Sequence, residues 1–197
     1  MKNLKHTLTA LLTAVSMTTT VHAAEWQIDP VHSTIGFSAT HLMVSTVHGD
    51  FENYTAKINF DEAKPEALTA EVTIETSSIN TRSQQRDDHL RNADFFDAAN
   101  FPTMTFKSKK VKVLGQGKME VVGDLTIRGI TKEVTLTGEA FQKIQKTPWG
   151  KTVTAAHAET TINRKDFGLL WNKALETGGV VVSDEIKIEI DLELIKG

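Results

Sequence analysis

Asp87, Asp88 and His89 stand side by side within RSQQRDDHLRNADFFDAANFPTMTF, residues 82–106. Two carboxylates beside an imidazole are the residue types of general acid–base catalysis or of a metal centre. Adjacent residues of a helix project about 100° apart, however, so these three cannot address one reacting atom. A solvated helical turn whose charges bond to neighbouring loops is the plainer reading. The remaining histidines past the leader, His32, His41, His48 and His157, offer no i, i+4 pair of the helical zinc kind. Cysteine is absent, which removes thiol catalysis, Cys-zinc sites and redox exchange. No Gly-x-Ser-x-Gly elbow occurs, and Gly178-Gly179 runs into β-branched Val180, Val181 and Val182 instead of a phosphate-binding helix. These spacings assign no catalytic residue, no metal and no resident cofactor.

The elements that surround this stretch are strands. Apolar residues alternate with polar ones at Ile35, Phe37 and Ala39, at Val47, Gly49 and Phe51, and at Ala56, Ile58 and Phe60, with a phase shift at Glu52-Asn53 that predicts a bulge. The same period returns at Leu68 to Ile74, Thr105 to Val113, Lys118 to Ile127, Glu133 to Phe141 and Ile186 to Leu194. Seven to nine antiparallel strands of this kind make a sandwich or a closed barrel. The interruption reads as two helical turns from Gln84 to Arg91, with Thr81 and Gln84 at capping-box spacing and an Asp87–Arg91 pair at i, i+4. Phe95, Phe96 and Phe101 follow, and Pro102 sets Phe101 in an extended conformation.

Residues 1–23 carry Lys2 and Lys5, then a mildly apolar run, then Val21-His22-Ala23, the three-part pattern of a signal peptide cleaved near Ala23. The expected product is a periplasmic chain of roughly 174 residues, 24–197, folding as one domain. The formal charge of −3 falls to about −5 without the two leader lysines, and no Lys/Arg run occurs, which argues against nucleic acid as a partner.

Asp29-Pro-Val-His32-Ser33-Thr-Ile35-Gly-Phe37 and His41-Leu42-Met-Val-Ser45-Thr-Val47-His-Gly49-Asp-Phe51 resemble the opening of the YceI-like family of exported lipocalin-like proteins. Ser78 to Thr81, Arg86 to Leu90, Asp94-Phe95-Phe96, Phe101-Pro102, Gly123 to Gly129, Asn163 to Gly168 and Asp184-Glu185-Ile186 continue the likeness along the chain. The resemblance implies an all-β fold: a lipocalin-like antiparallel barrel of about eight strands, with the short helix and aromatic loop inserted near residues 81–102. It further implies an apolar cavity holding a polyisoprenoid or similar long-chain lipid as ligand, with no other cofactor. Transient contact with a membrane or membrane protein, and a homodimer, are partner states it leaves open.

An eight-stranded barrel is just wide enough either to be filled by its own side chains or to enclose one small ligand. Small residues such as Gly36, Ala39, Ala70, Gly138, Ala156 and Ala158 favour a channel; a solid core with glycines at bends is the other reading. The expected lipid wall is Ile35, Phe37, Phe51, Ile58, Phe60, Val72, Ile74, Phe96, Phe101, Met104, Phe106, Leu125, Phe167, Leu170 and Trp171. His41 and Arg164 are the candidate headgroup donors; the other reading of either is a structural hydrogen-bonder, with Arg164 paired to Asp166 or to a carboxylate of the helix. A competing reading is an enzyme for a lipidic or small apolar substrate, with His41 or His89 as base.

Overall fold

A computed structural model describes residues 23–61, 63–141 and 143–197. The expected leader lies outside the described residues except for Ala23. The strands are β1 (Ala24–Ile28), β2 (Thr34–His41), β3 (Ser45–Phe51), β4 (Tyr54–Phe60), β5 (Thr69–Glu75) and β6 (Ile79–Asn80), then, after the helix α1 (Gln84–Arg91), β7 (Thr103–Gly115), β8 (Lys118–Ile127), β9 (Ile130–Ala140), β10 (Gln145–Lys146), β11 (Thr152–Asn163) and β12 (Val182–Lys196). Eight of them close a ring in the order β11, β9, β8, β7, β5, β4, β1, β12, and β12 pairs back onto β11. Every pairing is antiparallel, so the ring is a closed barrel and has no open edge within it. No helix among the described residues is long and apolar enough to cross a membrane.

Along its other edge the long strand β12 serves two partners. Its C-terminal end pairs with β1, as in Ile28 with Leu194, and its N-terminal part pairs with β2, from Thr34 opposite Asp191 to His41 opposite Val182. Between β1 and β2 the chain turns a corner at residues 29–33. Pro30 cannot donate to a ladder there, and the Asp29 carboxylate takes the Val31 N–H at 3.0 Å. The phase shift at Glu52-Asn53 is a full break and not a bulge: β3 pairs with β2 and β6, whereas β4 pairs with β1 and β5. A short 3₁₀ turn at Thr76–Ser78 breaks the next strand in the same way. A tight turn joins β8 to β9, with positive φ at both Arg128 (50°) and Gly129 (73°), the two-residue geometry that matches strand twist.

Helix α1 has the predicted bounds but not the predicted cap. Ser83 occupies the N-cap and its side chain makes no capping bond. Thr81 instead gives its N–H (2.8 Å) and hydroxyl to Asp87, which is only 6% exposed. With Asp87 so engaged, Arg91 pairs with Asp88, one residue nearer, at 3.0 Å. Arg91 also donates to the carbonyls of Ser77 (2.8 Å) and Ile79 (2.7 Å), and Arg86 to Thr81 Oγ1 (2.7 Å) and O (2.6 Å). Two arginines thus staple the helix onto the strand end beside it. Truncating Arg91 to Ala leaves two carbonyls without their charged donor and is expected to cost about 1–3 kcal/mol. Urea unfolding would measure this loss, and faster amide exchange at residues 77–81 would locate it.

Candidate functional site

Inside the ring lies an apolar chamber of about 250 Å³. A single water needs only about 10–15 Å³ in the same measure, so this is a chamber and not a packing defect. Alternate residues of successive strands supply its wall: Ile35, Phe37 and Ala39 on β2, Ala70, Val72 and Ile74 on β5, Val134, Leu136 and Gly138 on β9, Ala156, Ala158, Thr160 and Ile162 on β11, and Ile186, Ile188, Ile190 and Leu192 on β12. Period-two geometry explains why their neighbours, Lys187 and Glu189 for example, carry polar side chains on the outside. An apolar chamber of this size offers water nothing to bond and favours an apolar occupant.

Two of the wall's phenylalanines lie flat against the barrel. A Cβ on Gly49 would sit 2.6 Å from Phe37 Cζ, and a Cβ on Gly123 would sit 2.5 Å from Phe106 Cζ. Each ring covers the bare backbone of a glycine on the neighbouring strand and so stays out of the lumen. The far end is sealed by a cluster that includes Trp26, Phe60, Leu68, Phe141 and Leu194, with Phe60 stacked on Phe141 at 3.7 Å and Trp26 edge-on to Phe141 at 5.5 Å. The other end carries α1 and the loop after it, from which Leu90, Phe95 and Phe96 face the chamber, with Phe96 edge-on to Phe51 at 5.8 Å. Arg128 ties this loop to the barrel by donating to the carbonyls of Phe95 (2.8 Å) and Gly168 (3.1 Å).

Of the expected wall, Ile35, Phe37, Phe51, Ile58, Val72, Ile74, Phe96, Met104, Phe106, Leu125 and Phe167 border the chamber. Four do not. Phe60 belongs to the sealing cluster. Phe101 packs beneath Arg128 and Gly129, because Pro102 directs the chain away into β7. Leu170 is 65% exposed, and Trp171 stands behind the wall against Phe95 (5.2 Å) and His89 (4.9 Å). Parity identifies residues that share a strand face, but Phe60, Phe101, Leu170 and Trp171 sit at strand ends or in loops, where that rule loses its hold. The largest omission from the expected wall is the inner face of β12, whose isoleucine phase was legible although its direction was not.

Of the two candidate headgroup donors, one lies off the chamber and the other has its guanidinium bonded within the protein. His41 ends β2 beside the exposed turn Leu42-Met43-Val44 and does not border the chamber. Arg164 does border it and is only 3% exposed, but its guanidinium donates to the carbonyls of Ser183 (2.9 Å), Leu169 and Trp171 (2.9 Å) and to Asp184 (3.2 Å). Burial lowers the Arg164 pKa and Asp184 pulls it back up, while Lys165 first and then Arg164 hold the Asp184 carboxyl below the usual carboxylate range. Arg164 therefore holds together the loop that frames the wall. His89, the other expected base, bonds to Asp94 (3.0 Å) and packs on Phe95 and Trp171 outside the chamber.

A closed eight-stranded barrel around an apolar chamber defines a lipocalin-like protein. More particularly, the chain belongs to the YceI-like family, whose model matches residues 26–194 as a YceI-like domain. A UPF0312 protein of Staphylococcus aureus is 42% identical over 166 residues, 84% of this chain and 94% of that one. The crystal structure of Burkholderia cenocepacia BcnA superposes with a TM-score of 0.74 at 25% identity, covering 84% of this chain and 98% of that one. The Campylobacter jejuni YCEI protein does so with a TM-score of 0.66 at 33% identity, covering 80% and 90%. A polyisoprenoid binding domain from Saccharophagus degradans shares the fold at 13% identity, with a TM-score of 0.61 over 88% of this chain and 99% of that domain.

Proposed function

We propose that this protein is a non-enzymatic, periplasmic carrier that holds a polyisoprenoid or a similar long-chain lipid in its chamber, exchanging it through transient contact with a membrane or a membrane protein. The observation that carries the reading is the enclosed lumen itself, walled from every strand of the ring by aliphatic and aromatic side chains and by small residues that leave room for a chain. Burying apolar ligand surface there contributes about 25 cal/mol per Å² without demanding directional contacts, so chain-like lipids suit it better than polar metabolites. Met104 and Met119 on the wall can adapt to an irregular chain. The polyisoprenoid binding domain of Saccharophagus degradans, which has the same fold, adds support for the ligand class. His41 and His89, the two histidines of the enzyme reading, both lie off the wall, which favours binding over catalysis.

Native mass spectrometry of protein taken from the periplasm, followed by organic extraction, tests this. One lipid per chain, with a mass ladder in isoprene units, is the expected result. Bare protein that takes up no prenyl lipid when offered it would overturn the reading.

A further inference from the structure

The Asp29-Pro-Val-His32-Ser33 corner takes no part in the chamber. There, on the outer face, the corner meets β12, and Asp29, His32 and Glu193 place their ligand atoms within 4.8 Å of one another. We propose that these three side chains form a binding site for a divalent cation of the zinc class, with water completing the coordination.

The geometry carries the proposal. His32 Nδ1 lies 3.2 Å from Asp29 Oδ2 and 3.9 Å from Glu193 Oε1. Metal–ligand bonds near 2.1 Å in a tetrahedral site put ligand atoms about 3.4 Å apart, a spacing the two distances bracket. Asp29 Oδ1 is already committed to the Val31 N–H, which leaves Oδ2 turned toward the cluster. The backbone fixes the two segments against each other: Asp29 N–H donates to the Glu193 carbonyl at 2.9 Å, Glu193 N–H donates to Ser33 Oγ at 2.9 Å, and the Tyr54 hydroxyl donates to the Ser33 carbonyl at 3.1 Å. A proton on His32 Nδ1 can serve Asp29, but Glu193 is beyond hydrogen-bond reach and the two carboxylates repel each other. A cation satisfies all three at once. Lys151 is near enough to act on Asp29 electrostatically, yet it is not within ion-pair distance of it. One imidazole with two carboxylates favours zinc over calcium or magnesium, which take oxygen ligands alone. The bound ion would clamp the corner at which β12 passes from β1 to β2.

Equilibrium dialysis of the untagged, chelator-stripped protein against micromolar Zn²⁺ provides the test, with metal measured per chain. One ion per chain is expected, together with a rise in Tm of about 5–10 °C at a hundredfold excess over Kd. Asp29→Asn, which keeps an acceptor for Val31, Glu193→Gln and His32→Ala should each weaken binding at least about tenfold while the circular dichroism spectrum is retained. Excess Mg²⁺ or Ca²⁺ should not displace the ion. Absence of stoichiometric zinc, or binding that all three substitutions leave untouched, as it would be at the exposed His157–Asp191 pair, overturns the proposal.

Discussion

Replacing Arg164 with Met is expected to destabilise the protein by about 3–5 kcal/mol, the range for removing one partner of a buried, fully bonded charge. Three carbonyls, those of Leu169, Trp171 and Ser183, lose their donor, and Asp184 keeps only Lys165. Because Leu169 and Trp171 lie in the loop after β11 and Ser183 and Asp184 lie at the start of β12, the loss also loosens the wall that Phe167 and Leu169 supply. Urea unfolding should show a lower midpoint with an unchanged slope. Arg164→Lys should recover only a minor part, since an ammonium cannot reproduce the planar fork that reaches four acceptors. A cost below about 1 kcal/mol would mean that water reaches the three carbonyls and that the guanidinium is not their organiser.

The second large effect concerns the lumen. Ala70 on β5 and Ala156 on β11 both border the chamber, and their strands stand on opposite sides of the eight-membered ring. The double substitution Ala70→Phe with Ala156→Phe directs two rings into the space from facing walls. Lipid capture should fall at least tenfold, while Tm holds or rises, because filling empty apolar volume restores the dispersion contacts that the wall lacks. A variant that folds and still carries a full complement of lipid would show that the cargo lies elsewhere on the molecule. Extraction and mass analysis of both proteins, prepared side by side, would decide it.

Much of this architecture was legible in the sequence. Ile186 to Leu194 alternates cleanly because β12 has one face on the lumen and one in water, and α1 begins and ends at its predicted residues. The corner at residues 29–33 and the breaks after Phe51 and Glu75 were harder to read, because a strand that changes partner leaves the same local pattern as one that bulges. Arg164 was legible as a headgroup candidate or a pairing residue, but not its partners, since nothing local in its motif announces that Ser183 and Asp184 will fold back over it. The Asp29–His32–Glu193 cluster was invisible for the same reason: only the closure of the barrel brings the third side chain to the other two.

The paired glycines and phenylalanines bear on the width of the chamber. Gly49 does not border the lumen, yet it sets where the Phe37 ring rests, and a single methyl group at that position would press on that ring and on the Thr81 methyl. The bore of the barrel is thus gauged by backbone positions that no ligand touches. A substitution at such a glycine would change the cross-section the chamber admits while every lining side chain stays the same.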